Sequence, residues 1–162
     1  LEKLLGELLV EIRAAVKQSG REHLVELARS IPGFGEKTAP AIVACLPGCW
    51  EQWGDKRTTA IKLQAFFGFD PRLRTSGKWS GKVKMTKRGV TLARTAFYQV
   101  AFCALRTDPG LRSAYHAQRA AGKHHNVAVS HLMRRQLRRL VAVLKSGTAF
   151  VDHQSPAALA TA

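Results

Sequence analysis

Acidic residues are scarce in the second, larger part of this sequence. The chain has 162 residues, with 26 Lys and Arg against 11 Asp and Glu, and a formal net charge of +15. Residues 1–55 carry 6 basic and 8 acidic side chains, whereas residues 56–162 carry 20 basic and 3 acidic ones. An imbalance of this size favours nucleic acid as the partner, because each Lys or Arg placed on a phosphate releases condensed counterions.

The sequence also lacks features that would indicate a membrane, secreted or zinc-binding protein. No run approaches the ~20 apolar residues of a spanning helix, so we expect no membrane partner, and no signal peptide is visible. Three cysteines are an odd number in a chain without secretory marks, which favours a reduced intracellular protein. Cys45 and Cys49 lack the second pair that structural zinc needs, so we predict no metal site in this chain.

The pattern of apolar residues predicts an all-α fold. The sequence has no internal repeat and no strand-like alternation of useful length, and its apolar residues recur at helical spacing. We expect one compact helical domain over residues 20–147 and a flexible tail over 148–162. Predicted helices cover residues 1–17, 21–29, 56–67, 90–106, 111–121 and 126–145. Side chains expected to face the core include Ile61, Leu63, Phe66, Phe67, Leu92 and, as packing, Tyr98.

The leucine-rich start of the chain resembles a connecting helix. Residues 1–17 carry an amphipathic stripe barely two heptads long, and we interpret residues 1–19 as the end of a coiled-coil-like helix. Packing onto the domain and pairing with a second copy both remain open, and we predict a homo-oligomer through this helix. Because the chain opens at Leu1 inside this pattern, we expect it to be a fragment of a longer protein.

Residues 22–46 are typical of a helix-hairpin-helix. Two glycines one residue apart permit a sharp turn and a close approach to phosphate, and the following helix directs its first N–H groups outward. The predicted nucleic-acid contacts are Gly33, Gly35, Lys37 and Thr38. The alternative is a helical hairpin that packs without touching nucleic acid.

A long basic segment, residues 68–89, separates two helical regions. Its scattered apolar residues cannot form a helix face, so it is a loop or ribbon, either a solvated linker or a phosphate-contacting element with one special hydroxyl. It carries seven basic residues between positions 71 and 89 and no acid: Arg72, Arg74, Lys78, Lys82, Lys84, Lys87 and Arg88. The last helix adds a basic stripe, which is either a solvated face or a phosphate contact: Arg134, Arg135, Arg138 and Arg139.

Taken in chain order, three motifs of the sequence resemble those of a known family. Residues 31–39 read IPGFGEKTA, residues 66–78 read FFGFDPRLRTSGK, and residues 86–89 read TKRG before an alanine-rich helix. From about Leu24 to Leu144 this resembles the C-terminal domain of DEDD-type insertion-sequence transposases, the bridge-RNA-guided serine recombinases. The resemblance implies that Ser76 is the catalytic serine and that Gly77 joins the nucleic-acid contacts. Ser80 is the second choice, and Tyr98 is a weaker candidate.

The resemblance also implies partners that this chain does not contain. The family's N-terminal domain carries three aspartates and a glutamate that hold Mg²⁺, so we expect Mg²⁺ there and no cofactor here. The implied partners are DNA and a guide RNA in the bacterial cytoplasm, near the nucleoid, and the isolated chain is expected to be inactive. The competing interpretations are a non-catalytic helix-hairpin-helix module on a DNA or RNA backbone, and a structural helical domain whose charge aids solubility.

Overall fold

The structure is a computed structural model that describes residues 2–72, 75–76, 79–80 and 84–151, with side chains described outside residues 1–5 and 73–83. The described residues form a helical domain, so the predicted all-α class is confirmed. Its helices are α1 (Glu2–Gln18), α2 (Glu22–Arg29), α3 (Thr38–Ala44), α4 (Lys56–Phe66), α5 (Thr91–Thr107), α6 (Pro109–Ala120) and α7 (His125–Ser146). Among these described helices, none combines the length and the apolar character needed to cross a bilayer.

The core lies around α5 and α7. Helix α5 packs on α3, α6 and α7, while α2 and α4 also pack on α7. Four alanines of α5 are fully or almost fully buried, and their small side chains allow the neighbouring helices to approach closely. The aromatic rings of Phe67, Phe69 and Phe97 form one cluster, with ring centroids 5.4–6.2 Å apart.

Three apolar side chains predicted to be buried are exposed. Ile61, Phe66 and Leu92 are 58%, 39% and 47% exposed, so those predictions were wrong. Ile61 lies two residues before the buried Leu63, about 200° around the same helix, so both cannot face α7. Phe67, and not Phe66, is buried because it packs against Phe97.

The junction of α5 and α6 explains why α6 begins earlier than predicted. Asp108 stands at the N-cap position, and its carboxylate accepts a hydrogen bond from the Leu111 N–H at 2.9 Å. Pro109 occupies the first turn, where its missing N–H costs nothing. The cap and the proline together start the helix at Pro109 rather than at residue 111.

The described residues of the basic segment pair as a ribbon. Its paired residues are β1 (Pro71–Arg72), β2 (Thr75–Ser76), β3 (Trp79–Ser80) and β4 (Lys84–Met85). Both pairings are antiparallel: Arg72 lies opposite Lys84, and Ser76 lies opposite Trp79. Two residues separate β1 from β2 and three separate β3 from β4, so the register shifts by one between the two pairs.

Beyond α7, the chain returns to the domain. The Phe150 N–H donates to the Ser30 hydroxyl at 2.8 Å, and the Arg139 guanidinium lies 5.1 Å from the Phe150 ring centroid. This residue, assigned to the tail by sequence, is therefore packed against α2 and α7. The rest of the predicted tail, residues 152–162, lies outside the described residues.

Candidate nucleic-acid interface

Two glycines close the base of the ribbon. Gly68 has φ +72°, and a Cβ added there would lie 2.6 Å from the backbone nitrogen of Gly89. A Cβ added to Gly89 would overlap the carbonyl oxygen of Phe66. Glycine is therefore required at both positions, because the two ends of the ribbon cross backbone against backbone at the end of α4.

Hydrogen bonds hold the first residues of the ribbon together above this crossing. The Lys87 N–H donates to the Gly68 carbonyl at 2.9 Å, and the Thr86 N–H donates to the Asp70 carbonyl at 3.1 Å. The Thr86 hydroxyl also donates to the Asp70 carboxylate. The one acid in this basic segment thus has a structural role.

Ser76 lies at the other end of the ribbon from the glycine crossing. It is the last paired residue of β2, and only residues 77 and 78 separate it from its partner Trp79. The side chain of Ser76 is outside the described part. Of the other predicted contacts, four lie entirely outside the described residues: Arg74, Gly77, Lys78 and Lys82.

The described basic residues of the ribbon gather near its base. Arg72 lies opposite Lys84, and both residues are exposed. Arg72 and Arg88 line a shallow depression together with Asp70 and Thr86. This arrangement brings together on one surface cations that the sequence spreads over seventeen positions.

Lys87 has a left-handed backbone, with φ +56°. Asparagine tolerates this conformation and β-branched residues do not. We expect Lys87→Val to lower the free energy of unfolding by about 1 kcal/mol relative to Lys87→Asn, since both remove the same charge. Urea melts of the two variants measure the difference; equal midpoints would show that the strain is absent.

The predicted helix-hairpin-helix residues separate into two kinds. Helices α2 and α3 flank the turn as expected, but Gly33, with φ +97°, faces α5: a Cβ there would lie 2.6 Å from the Val100 carbonyl oxygen. Gly35 is exposed with open space around it, and its N–H donates to the Thr38 hydroxyl at 2.9 Å. Packing explains Gly33, whereas packing does not explain Gly35.

Charge at this turn is mixed. Lys37 is exposed at the start of α3, but the neighbouring Glu36 lies 3.7 Å from both Arg13 and Arg29. These exposed ion pairs contribute little stability, but they pair the acid beside the turn with two arginines. The turn therefore presents charge of both signs, and Lys37 is the cation at the start of α3.

The predicted basic stripe of α7 contains both a paired arginine and exposed arginines. Arg139 donates to the carboxylate of Asp108, and their side chains are 22% and 5% exposed. Burial opposes ionisation of Asp108, but the hydrogen bonds from Arg139 and from the Leu111 N–H, with the Arg139 charge, hold the pKa of this carboxyl below its ordinary value. Arg139 is therefore structural, whereas Arg135 and Arg138 are exposed.

Tyr98 was expected to pack inside the core, but it lies at the surface. It is 40% exposed, and its hydroxyl lies 3.4 Å from Nε2 of His125. The Tyr115 hydroxyl lies 2.8 Å from Nδ1 of the same imidazole. The two tyrosines thus bracket His125 where α5, α6 and α7 meet, a cluster that sequence spacing does not reveal.

Comparison with known proteins identifies the class. A family model described as "Transposase IS116/IS110/IS902 family" matches residues 25–116. The chain is 33% identical over 133 residues to the "Insertion element IS900 uncharacterized 42 kDa protein" of Mycobacterium paratuberculosis, covering 82% of this chain and 32% of that protein. It is 30% identical over 128 residues to the "Insertion element IS110 uncharacterized 43.6 kDa protein" of Streptomyces coelicolor (strain ATCC BAA-471 / A3(2) / M145), covering 79% and 30%.

These matches assign the chain to a class of proteins, the insertion-sequence transposases. More narrowly, it belongs to the IS116/IS110/IS902 transposase family. The chain spans about a third of the length of the two relatives. The matched region begins in α2 and ends in α6, so it contains the α2–α3 turn and the whole ribbon.

Proposed function

We propose that this chain is the serine-bearing, DNA-binding part of a transposase that cuts and rejoins DNA strands, with Ser76 as the nucleophile. The observation that carries the proposal is the position of Ser76 as the last paired residue before the tip of the basic ribbon. The glycine crossing attaches that ribbon to the core. Arg72 and Lys84 lie opposite each other between this crossing and Ser76. Such a ribbon presents a hydroxyl to a DNA backbone without moving the helical body.

The proposed chemistry is a transfer of phosphodiester bonds. Ser76 Oγ attacks a backbone phosphorus and loses its proton, while the bond from that phosphorus to a deoxyribose oxygen breaks and the released oxygen takes up a proton. The strand is then held as a phosphoserine diester. A hydroxyl of another strand attacks that phosphorus and loses its proton, while the bond to Ser76 Oγ breaks and the serine oxygen takes up a proton. The basic residues two positions before and after Ser76 in the sequence, Arg74 and Lys78, are proposed to favour the attack by stabilising the charge that develops on the phosphate oxygens.

The remaining parts of the machinery are proposed to lie elsewhere in the full-length protein. Within the described residues, no group of three His, Cys, Asp or Glu side chains is placed to hold a metal ion. We therefore assign Mg²⁺ to a DEDD domain outside this chain and derive no step from it. A guide RNA and a second copy of the protein complete the proposal, with α1 as the pairing helix because Leu8 and Val10 are exposed on it.

A non-catalytic helix-hairpin-helix module that binds a DNA or RNA backbone is the second candidate. The observation in its favour is the exposure of Gly35 and Lys37, with unfilled space around Gly35. This function would need no nucleophile, so the two candidates differ in whether Ser76 matters.

Covalent trapping distinguishes them. A full-length transposase containing this chain would be incubated with guide RNA, Mg²⁺ and end-labelled DNA, then denatured and examined for a protein–DNA adduct. We expect wild type to give the adduct and Ser76→Ala to give none, because alanine lacks the attacking oxygen. Ser80→Ala, in the facing strand, is the matched control and should retain the adduct.

An adduct that survives Ser76→Ala and disappears with Ser80→Ala would move the nucleophile to Ser80. Recombined DNA without any adduct in the wild-type reaction would exclude the covalent serine mechanism and favour the non-catalytic module. Strand exchange by the isolated 162-residue chain would show that the proposed division of labour is wrong.

A further inference from the structure

A basic groove lies between α4 and α7, away from the ribbon. Lys56 and Arg57, at the start of α4, line it from one side, and Arg134 and Arg138 line it from the other. Lys56, Arg57 and Arg138 are exposed. The groove has a volume of about 470 Å³ and an apolar floor that includes Leu137.

A second groove, between α6 and α7, shares two arginines with the first. Arg134 and Arg138 line both grooves and so form a ridge between them, and Arg135 and His131 belong to the second groove. We call the two grooves and this ridge the α7 basic surface, which comprises Lys56, Arg57, His131, Arg134, Arg135 and Arg138. Residues far apart in sequence meet here only because α4 and α6 both pack on α7.

Acidic residues are scarce at this surface. Neither groove has Asp or Glu among its described lining residues. Asp55, directly before Lys56, is an acid adjacent to this surface, and its carboxylate caps α4 by accepting from the Thr58 N–H. Between residues 56 and 151 the only acidic residues of the sequence are Asp70 and Asp108. Asp70 accepts from Thr86 at the base of the ribbon, and Asp108 accepts from Arg139 and Leu111. Both acids are therefore engaged elsewhere.

The pKa values of two side chains on this surface are lowered, first by burial and then by neighbouring positive charge. Burial, together with the charges of Arg134 and Lys123, lowers the pKa of His131. Burial and the charge of Arg138 lower the pKa of Arg134. Arg134 also lies 3.0 Å from Nδ1 of His131, a contact in which the imidazole is the acceptor and therefore neutral at that nitrogen. An anion bound here would relieve this repulsion.

The chemistry of the lining favours a duplex over a single strand. Proteins that bind single strands stack bases on aromatic side chains. The described lining of both grooves contains no Phe, Tyr or Trp. Arginine and lysine beside a Gln amide suit phosphate contacts, which need no access to unstacked bases.

The position of the surface suits a duplex that also reaches the ribbon. Lys56 begins α4, and Phe66, at its other end, adjoins the glycine crossing. Eleven helical residues separate the two ends by about 16 Å. This is less than one turn of B-form DNA, ~34 Å, so a single duplex can contact both.

We propose that the α7 basic surface binds the phosphate backbone of a nucleic-acid duplex as a second contact site, independent of Ser76. The arginine ridge lies between two backbone-binding grooves, and Lys56 and Arg57 extend the contact along α4. The site recognises backbone and shape and not sequence, because its side chains offer charge without a fixed set of base-edge contacts.

Titrations of the 162-residue chain against salt test this site. The probes are a mixed-sequence DNA duplex, an RNA hairpin with a long stem and a single strand of equal length. The Arg57→Gln/Arg138→Gln double variant should lower the slope of log affinity against log salt by about 2 on the DNA duplex or on the RNA stem, or on both, since each arginine accounts for about 1. Whichever duplex shows the loss is the ligand.

Arg106→Gln/Arg119→Gln is the matched control, because it removes the same charge from exposed positions outside the groove linings. Its slope should stay at the wild-type value. Arg57→Lys/Arg138→Lys should restore the slope, which separates binding from a folding defect. Equal slopes for the two glutamine doubles, or equal losses on the single strand and the duplexes, would overturn the proposal whatever the trapping experiment shows.

Discussion

Gly33→Ala should destabilise the domain by about 3 kcal/mol, the sum of an overpacked contact and a left-handed backbone. The added Cβ would lie 2.6 Å from the Val100 carbonyl oxygen and 2.8 Å from Ala104 Cβ, and φ is +97°. These neighbours belong to α5 at the centre of the fold, so they cannot move without disturbing α3, α6 and α7. Urea unfolding followed by circular dichroism measures the loss.

Gly35→Ala is the matched control for this prediction. It inserts the same methyl group two residues away, where nothing lies within 4 Å and φ is not left-handed. Its stability should stay within about 0.5 kcal/mol of wild type, as for ordinary surface changes. Equal stability of the two variants would contradict the packing role assigned to Gly33, and weaker duplex binding by Gly35→Ala alone would support a phosphate contact at the turn.

Asp108→Ala should cost about 3–5 kcal/mol, because it leaves the partly buried guanidinium of Arg139 without its carboxylate. The change also removes the N-cap acceptor of α6, the bond from Leu111 N–H. Asp108→Asn keeps a capping oxygen but not the charge, so it should cost less. Thermal and urea melts of both variants give the order, and a loss below 1 kcal/mol for Asp108→Ala would show that the pair is not structurally important.

The same carboxyl predicts how stability depends on pH. The pKa of Asp108 is below its ordinary value in the folded state, so its contribution is fully present above the unfolded pKa and disappears as pH falls through the folded pKa. The difference in unfolding free energy between wild type and Asp108→Asn should therefore shrink on acidification. A constant difference across that range would exclude Asp108 as the titrating group.

Sequence predicted most of the helices because their apolar spacing and end signals are local. The periodicity of α7 and the glycine and proline punctuation place its ends within one residue. The exposed side of α4 was misjudged because Ile61, Phe66 and Phe67 are equally apolar, and only tertiary packing decides which of them is buried. The start of α6 was missed because a cap and a following proline outweighed the apolar pattern.

Less of the candidate site than of the fold could be predicted from the sequence. Positive charge identified the ribbon, but four hydroxyls compete within it, and only resemblance to a family selects Ser76. The two glycines of the turn are identical in sequence, while contact with α5 separates Gly33 from Gly35. The sequence could not show that Arg57 and Arg138 line one groove, because more than eighty positions separate them and only the packing of α4 on α7 brings them together.

The crossing of Gly68 and Gly89 makes the ribbon an insertion between two halves of one core. Helices before the ribbon pack directly on helices after it, α3 on α5 and α4 on α7, so the body needs only that the two ends meet. A change in the number of residues between these glycines therefore alters the reach of the ribbon without altering the core, at a small loop-closure cost. Natural variation in length is expected to concentrate there, which would change the reach of the ribbon among related transposases while retaining the same helical body.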